Sequence, residues 1–390
     1  MNRTNFAFIG FCLSFFFLTL DFVQLQFNLG YENSWAAYLD ISPLELTIRY
    51  LLILALYISV FTLSHFMFER KMTIPDVAGV IAINRNLTAV NNISLLILSS
   101  LAIYILAIIY NYGPLNYMVE VRNGLRSLGG LYYFTTMGLL TSLVCSISVR
   151  AKNSIFYFGL LTFTVLVLAS GFRNFIVFLI VYWYLFYHLG TRKLVNKKLL
   201  TIFLSIVLLF YLFQYYRTDG IVGAYFIDIL NRTAPLSQSF VADLNSDLFE
   251  PQFIIYNFFL PIMTIFSKLG QYDFQNWNEV IVNEAVFRDY LNWRGSYSIR
   301  PTGFAINFQI YGYIVAGYIG LLITAITSIY ILLIAFLFLA NLRLWNFGLI
   351  IICTMFMGII DSSIESFILM QYILLYYSFL LFISRVIIKI

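Results

Sequence analysis

Arginine is the residue type whose number and placement in this sequence ask for a chemical reason. Arg122, Arg126, Arg173, Arg217, Arg232, Arg288, Arg294 and Arg300 fall in connections between apolar runs, and Arg49 stands at the mouth of another run. A guanidinium is planar, permanently charged and forked, so it engages phosphate and pyrophosphate oxygens two at a time. Two of these arginines have a local explanation: Asp228 with Arg232 and Glu284 with Arg288 are spaced i,i+4, as in helix-surface ion pairs. Arg122 and Arg126 are related in the opposite sense. On a helix over Glu120–Leu128 they are like charges on one face, unfavourable unless an anion lies between them. Arg173 sits in the tight turn Ser170-Gly-Phe-Arg-Asn174, where it either snorkels to lipid headgroups or meets an anion. Arg217 follows Tyr215-Tyr216, and Arg300 precedes Pro301-Thr-Gly-Phe.

Arg122, Arg126, Arg173, Arg217 and Arg300 therefore form the expected anion-binding set, and pyrophosphate is the anion they fit. A pyrophosphate-activated donor carries its own driving force, so groups that stabilise the leaving charge supply much of the catalysis. An attacking hydroxyl gains from a base. Both histidines, His65 and His188, fall at the opposite ends of their helices, which leaves a carboxylate such as Asp219 or Asp243 for that role. No phosphate-cradling glycine loop of the G-x-x-x-x-G-K-[ST] or G-x-G-x-x-G kind is present. Cys12, Cys145 and Cys353 lie in apolar runs at unrelated spacings, giving neither a disulfide framework nor a metal site. No cofactor is expected.

The elements that position these residues are hydrophobic. Of 390 residues, 61% are hydrophobic and 11% charged, with a mean hydropathy of +0.87, where a soluble domain carries about 25% charged residues. Most of the surface must face lipid. Apolar segments of spanning length lie near Phe6–Gln24, Leu46–Phe68, Thr88–Tyr110, Leu131–Val149, Ser154–Ser170, Asn174–Leu189, Leu199–Tyr215, Ile314–Ala340, Trp345–Ile360 and Ser366–Ile388. The expected fold is an all-α polytopic membrane protein of about ten transmembrane helices, a single integral domain over residues 1–390. The first run lacks a small-residue cleavage site before Asp21-Phe-Val-Gln-Leu-Gln, so it reads as a retained helix.

Charge sets the orientation. With the N-terminus inside, the cytoplasmic connections hold 13 of the 23 basic residues and only two acids, Glu69 and Asp76. Every short cytoplasmic connection is then net positive, as the positive-inside rule requires, and both termini are cytoplasmic. The arginines above all fall on the opposite face. One connection there, residues 216–303, is long; it carries six basic and nine acidic residues, and its Phe253–Phe266 stretch reads as an interfacial or re-entrant helix. The uncharged stretch Pro301–Leu342 is too long for one upright helix, and two spans would invert the charge pattern downstream. Thr302–Tyr313 is therefore expected to lie against the outer membrane surface or against protein, with a span starting near Ile314. Gly312, Ala316, Gly317 and Gly320 favour tight packing there.

Taken together, this pattern resembles the Wzy family of bacterial O-antigen polymerases. The likeness rests on many helices, the Arg-bearing turn Ser170–Asn174, one large late loop, and the segment Pro301-Thr-Gly-Phe-Ala-Ile-Asn-Phe-Gln-Ile-Tyr-Gly-Tyr-Ile-Val-Ala-Gly-Tyr-Ile-Gly-Leu-Leu with its closing Gly-x-x-Gly. The Arg122–Leu131 stretch is similar too. The resemblance implies a metal- and nucleotide-independent membrane glycosyltransferase of lipopolysaccharide biosynthesis in the bacterial inner membrane. It would move a growing glycan from undecaprenyl pyrophosphate onto the next lipid-linked repeat unit at the periplasmic face, with Arg122, Arg126, Arg173 and Arg217 facing the pyrophosphates. The expected partners are that lipid-linked oligosaccharide, membrane lipid and a chain-length regulator; nucleic acid is not one. Two rival readings are an O-antigen ligase, whose family usually presents a periplasmic histidine, and a lipid-linked oligosaccharide flippase, which should show internal repeats and midplane charges.

Overall fold

In a computed structural model the described residues are 4–27, 41–71, 85–111, 130–149, 153–170, 174–191, 201, 236–237, 239–240, 308–341, 344–361 and 365–387. Among them the regular structure is helical: α1 (Thr4–Gln26), α2 (Pro43–Lys71), α3 (Arg85–Asn111), α4 (Gly130–Ser148), α5 (Ser154–Ser170), α6 (Asn174–Thr191), α7 (Phe308–Ala340), α8 (Trp345–Asp361) and α9 (Glu365–Ile387), with Leu236, Ser237, Ser239 and Phe240 in a further helical turn. Helices α1 to α9 coincide with nine of the ten apolar segments; the tenth, Leu199–Tyr215, lies outside the described residues save Thr201.

Among the described residues, three stretches are long and apolar enough to cross a membrane: Asn86–Ile108, Ala316–Ala340 and Leu369–Val386. Their outward faces carry large hydrophobic side chains, among them Ile97, Ile319, Ile326, Tyr330 and Phe382, each more than half exposed. Apolar side chains recurring on the outside of long helices are suited to lipid, where the helix already satisfies its own backbone hydrogen bonds.

The chain divides into two compact units. The first comprises Met1–Met72, Ile221–Ile334 and Met355–Ile368; the second comprises Thr73–Gly220, Ala335–Thr354 and Leu369–Ile390. In the first unit, Leu18, Leu46, Ile53, Tyr57, Leu236, Phe240, Tyr313 and Leu321 form one buried cluster. α1 and α2 meet there through Thr19 and Tyr50, whose hydroxyls are 3.2 Å apart, and through the Phe22 and Tyr50 rings, 4.5 Å between centroids.

The second unit is built around α4, whose Leu139–Val149 stretch is buried along its whole length. A helix enclosed on all sides must dispose of its hydroxyls, and α4 does so internally. Thr135, Thr136, Thr141 and Ser148 each donate to the carbonyl four residues back. Its remaining polar groups join it to neighbours. Asn91 Nδ2 of α3 donates to the Ser142 carbonyl at 3.0 Å and to Ser146 Oγ at 2.7 Å. Ser94 Oγ lies 3.0 Å from both Ser142 Oγ and the Tyr376 hydroxyl of α9. Ser148 pairs with Tyr182 of α6 at 2.7 Å, and Thr162 of α5 with Ser99 of α3 at 3.1 Å. Interhelical hydrogen bonds of this neutral kind join helices in a medium where apolar surface alone does not drive association.

Asn153 starts α5 by accepting the Phe156 N–H on its side-chain oxygen, an N-cap of ordinary geometry.

Candidate functional site

The first unit places two ionisable side chains in its apolar cluster, and the local sequence explains how each gets there. α2 begins with Ser42-Pro43-Leu44-Glu45, in which Ser42 Oγ accepts the Glu45 N–H at 3.3 Å and proline takes the first helical position. Capping fixes the register of the first turns, so Arg49 falls one turn after Glu45 and their side chains meet, Nη2 to Oε1, at 3.1 Å. Glu45 is 56% exposed, whereas Arg49 is 6% exposed and points inward.

There the guanidinium lies against aromatic rings. Its Cζ is 3.8 Å from the centroid of Phe240 and 5.4 Å from that of Tyr313, and its Nη1 donates to Ser239 Oγ at 3.3 Å. Stacking suits a guanidinium because its faces are weakly hydrated while its edges keep their hydrogen bonds.

Asp21, near the end of α1, holds the start of the helical turn that carries Ser239 and Phe240. Its Oδ2 accepts the backbone N–H groups of Leu236 at 2.7 Å and Ser237 at 3.0 Å, and its Oδ1 accepts Ser237 Oγ at 2.5 Å. Ser239 Oγ donates to the Leu236 carbonyl at 2.7 Å and so closes the turn on itself. Three donors on a buried carboxylate make it an acceptor already in use, an anchor rather than a base.

Tyr313 reaches Arg49 because α7 is broken. Ala316 (φ −148°, ψ 28°) and Gly317 (φ 57°, ψ −137°) leave the helical region. The Gly317 conformation belongs to a turn that glycine adopts without a Cβ clash. The chain reverses there, and Phe308–Tyr313 folds back on the start of the Ala316–Ala340 span. A Cβ on Gly312 would strike the backbone carbonyl of Gly320, and one on Gly320 would strike that of Gly312. Phe308–Tyr313, the described part of the expected Thr302–Tyr313 segment, thus lies against protein, and the span starts at Ala316, two residues after the expected Ile314. The glycines pack tightly, as their spacing suggests, but across a reversal and not along one helix.

All seven residues expected to carry chemistry, Arg122, Arg126, Arg173, Arg217, Arg300, Asp219 and Asp243, lie outside the described residues, as does Phe253–Phe266. What the structure assembles instead is Asp21, Arg49, Ser237, Ser239, Phe240 and Tyr313. Sequence reading flagged Arg49 as a cation at a helix mouth and passed over Asp21. The available signal was a single carboxylate closing an otherwise apolar first helix, since an ionisable residue in such a segment needs a partner. Among the described residues no three His, Cys, Asp or Glu side chains gather as a metal site.

Compared with protein-family models, with curated proteins and with solved structures, the chain matches none.

Proposed function

We propose that this chain is an O-antigen polymerase: a bacterial inner-membrane glycosyltransferase with about ten spans and cytoplasmic termini, acting on undecaprenyl-pyrophosphate-linked repeats at the periplasmic face. The observation that carries the proposal is the arginine enrichment on the face that the positive-inside rule leaves poor in basic residues. Arg122, Arg126, Arg173, Arg217 and Arg300 are the pyrophosphate ligands in this reading, and Asp219 or Asp243 is the base.

The acceptor sugar hydroxyl attacks the anomeric carbon of the donor glycan. The bond from that carbon to pyrophosphate oxygen breaks, undecaprenyl pyrophosphate leaves with the electron pair, and the carboxylate takes the hydroxyl proton. Arginines aimed at the leaving oxygens lower the barrier because charge accumulates there in the transition state.

The first unit is consistent with this topology. The end of α1, the start of α2, the 236–240 turn and the Phe308–Ala316 arm are the segments that charge assigns to the outer face, and they meet one another. A tight reversal ahead of a long apolar helix also agrees with the Gly-x-x-Gly segment on which the family likeness rests.

Deleting the gene and examining the surface glycan tests the proposal. Loss of polymerase leaves a single repeat attached to the lipid anchor, whereas loss of a ligase or flippase leaves none. Chains of normal length in the deletion strain would sink the polymerase reading. Arg173→Ala and Arg217→Ala, at normal protein level, are expected to reduce polymer by about 10²-fold or more, the effect of removing one oxyanion-stabilising donor. Full polymer in both would remove those arginines from the site.

A further inference from the structure

Nothing in the packing of α1 against α2 requires a carboxylate and a guanidinium in the same apolar cluster. Removing an ionisable group from water is costly unless its partners are fixed. Here both groups reach one short segment, Asp21 at Leu236 and Ser237 and Arg49 at Ser239 and Phe240, which follows Asp21 in the sequence by more than two hundred positions. Asp21 takes the first two backbone N–H groups of that turn, and Arg49 takes its last side chain, Phe240, together with Ser239. Arg49 also lies against Tyr313, so one guanidinium joins points 73 residues apart in the chain (313 − 240).

We infer that Asp21 and Arg49 are positioning residues: a two-armed clasp that docks the 236–240 turn on α1 and α2 and ties it to the Tyr313 arm. Asp243 follows Phe240 by three residues in the sequence, so the clasp holds the chain beside one of the two carboxylates assigned as base. The effect on glycan rests on the function proposed above; the docking of the turn does not. The two arms are unequal. The Asp21 arm is made of buried groups throughout, whereas Arg49 is paired with a Glu45 that is more than half exposed.

The test uses the full-length protein in lipid nanodiscs with Cys12, which is exposed, changed to Ser. Leu236→Cys puts a thiol on a fully buried position and keeps the backbone N–H that Asp21 accepts. Its rate of reaction with a polyethylene-glycol maleimide reports opening of the turn. Adding Asp21→Ala or Arg49→Met is expected to raise that rate by about tenfold or more, Asp21→Asn and Arg49→Lys less, and Asp21→Ala the most. Ser59→Ala, which loses only a bond within its own helix, leaves the rate unchanged. An unchanged rate in Asp21→Ala overturns the clasp.

In cells, with Leu236 and Cys12 native, Asp21→Ala at normal protein level is expected to lower polymer at least about tenfold while single-repeat glycan remains, with Asp21→Asn recovering part of it. A raised labelling rate with undiminished polymer overturns the positioning role. Undiminished polymer in the deletion strain overturns the polymerase reading and the positioning role together, and leaves the docking of the turn to the labelling result.

Discussion

The two units bury polar groups in apolar surroundings by different means. The first uses charge: Asp21 and Arg49 hold a turn and a helix arm that are remote in sequence. The second uses neutral amides and hydroxyls, Asn91 with Ser142 and Ser146, Ser94 with Tyr376, Ser148 with Tyr182, to hold helix against helix. Helix interiors arrive with their backbones already satisfied, so side-chain bonds between them add only modest stability. The short helical segment that holds Leu236 and Ser237 presents two backbone N–H groups that Asp21 accepts, and a carboxylate offers two oxygens to several donors at once. Charge is used where backbone has to be captured; neutral bonds suffice where it does not.

That contrast predicts unequal costs for comparable deletions. Asp21→Ala leaves the N–H groups of Leu236 and Ser237 without their acceptor, at roughly 1–3 kcal/mol per buried donor, or about 2–6 kcal/mol in all. Asn91→Ala removes two interhelical hydrogen bonds, yet is expected to cost about 1 kcal/mol, the scale of such bonds in membranes. Denaturant titration of the purified protein, followed by a probe in each unit, measures both. Equal losses would remove the distinction between captured backbone and paired helices.

The reversal in α7 gives the next effect, and it separates contact from conformation. Gly320→Ala drives a Cβ into the Gly312 carbonyl, which has no flexible side chain to give way, and is expected to cost about 3 kcal/mol. Gly317→Ala meets nothing within 4 Å, so its cost is backbone strain alone, about 1–2 kcal/mol. A larger loss at Gly317 than at Gly320 would mean that the turn conformation, rather than the close approach, sets the hairpin and the placement of Tyr313.

Much of this fold is legible in the sequence because apolar helices are written in composition. Apolar length and flanking polarity locate nine helices to within a few residues, and Ser154–Ser170 coincides end for end. The one sizeable difference is at α7, where Phe308–Val315 is helical but folded back. Hydropathy has no term for a reversal inside an uncharged run, and only the glycine pattern points to it. The clasp is less legible for a different reason. Asp21 reads as the polar end of a span and Arg49 as one cation among ten, since nothing local to either names residues 236–240 as the partner. Contacts between segments two hundred residues apart depend on tertiary placement that periodicity does not encode. The expected arginine set rests on charge placement and family likeness, and its members lie outside the described residues.

Within the second unit, Tyr376→Phe keeps the ring beside Phe134 and deletes only the hydroxyl shared with Ser94. Ser94 retains Ser142 as a partner, so no polar group is stranded and the expected loss is about 0.6 kcal/mol. A loss above about 2 kcal/mol would show the hydroxyl chain acting as one cooperative network, closer to the Asp21 anchor than to a set of independent bonds.

The smallest effect sharpens the contrast inside the clasp itself. Glu45 and Arg49 are an i,i+4 pair with one partner largely in solvent, and exposed pairs of this kind contribute about 0.3–0.5 kcal/mol. Glu45→Gln should therefore lower stability by no more than about 0.5 kcal/mol, and that difference should shrink as salt rises and the Debye length falls. The Asp21 bonds are buried and made largely to backbone, so the cost of Asp21→Ala should stay the same between low and high salt. If Glu45→Gln costs as much as Asp21→Ala, Arg49 depends on its carboxylate partner to remain inside. If it costs almost nothing, Phe240, Tyr313 and Ser239 hold the guanidinium by themselves, and stacking rather than ion pairing closes that arm.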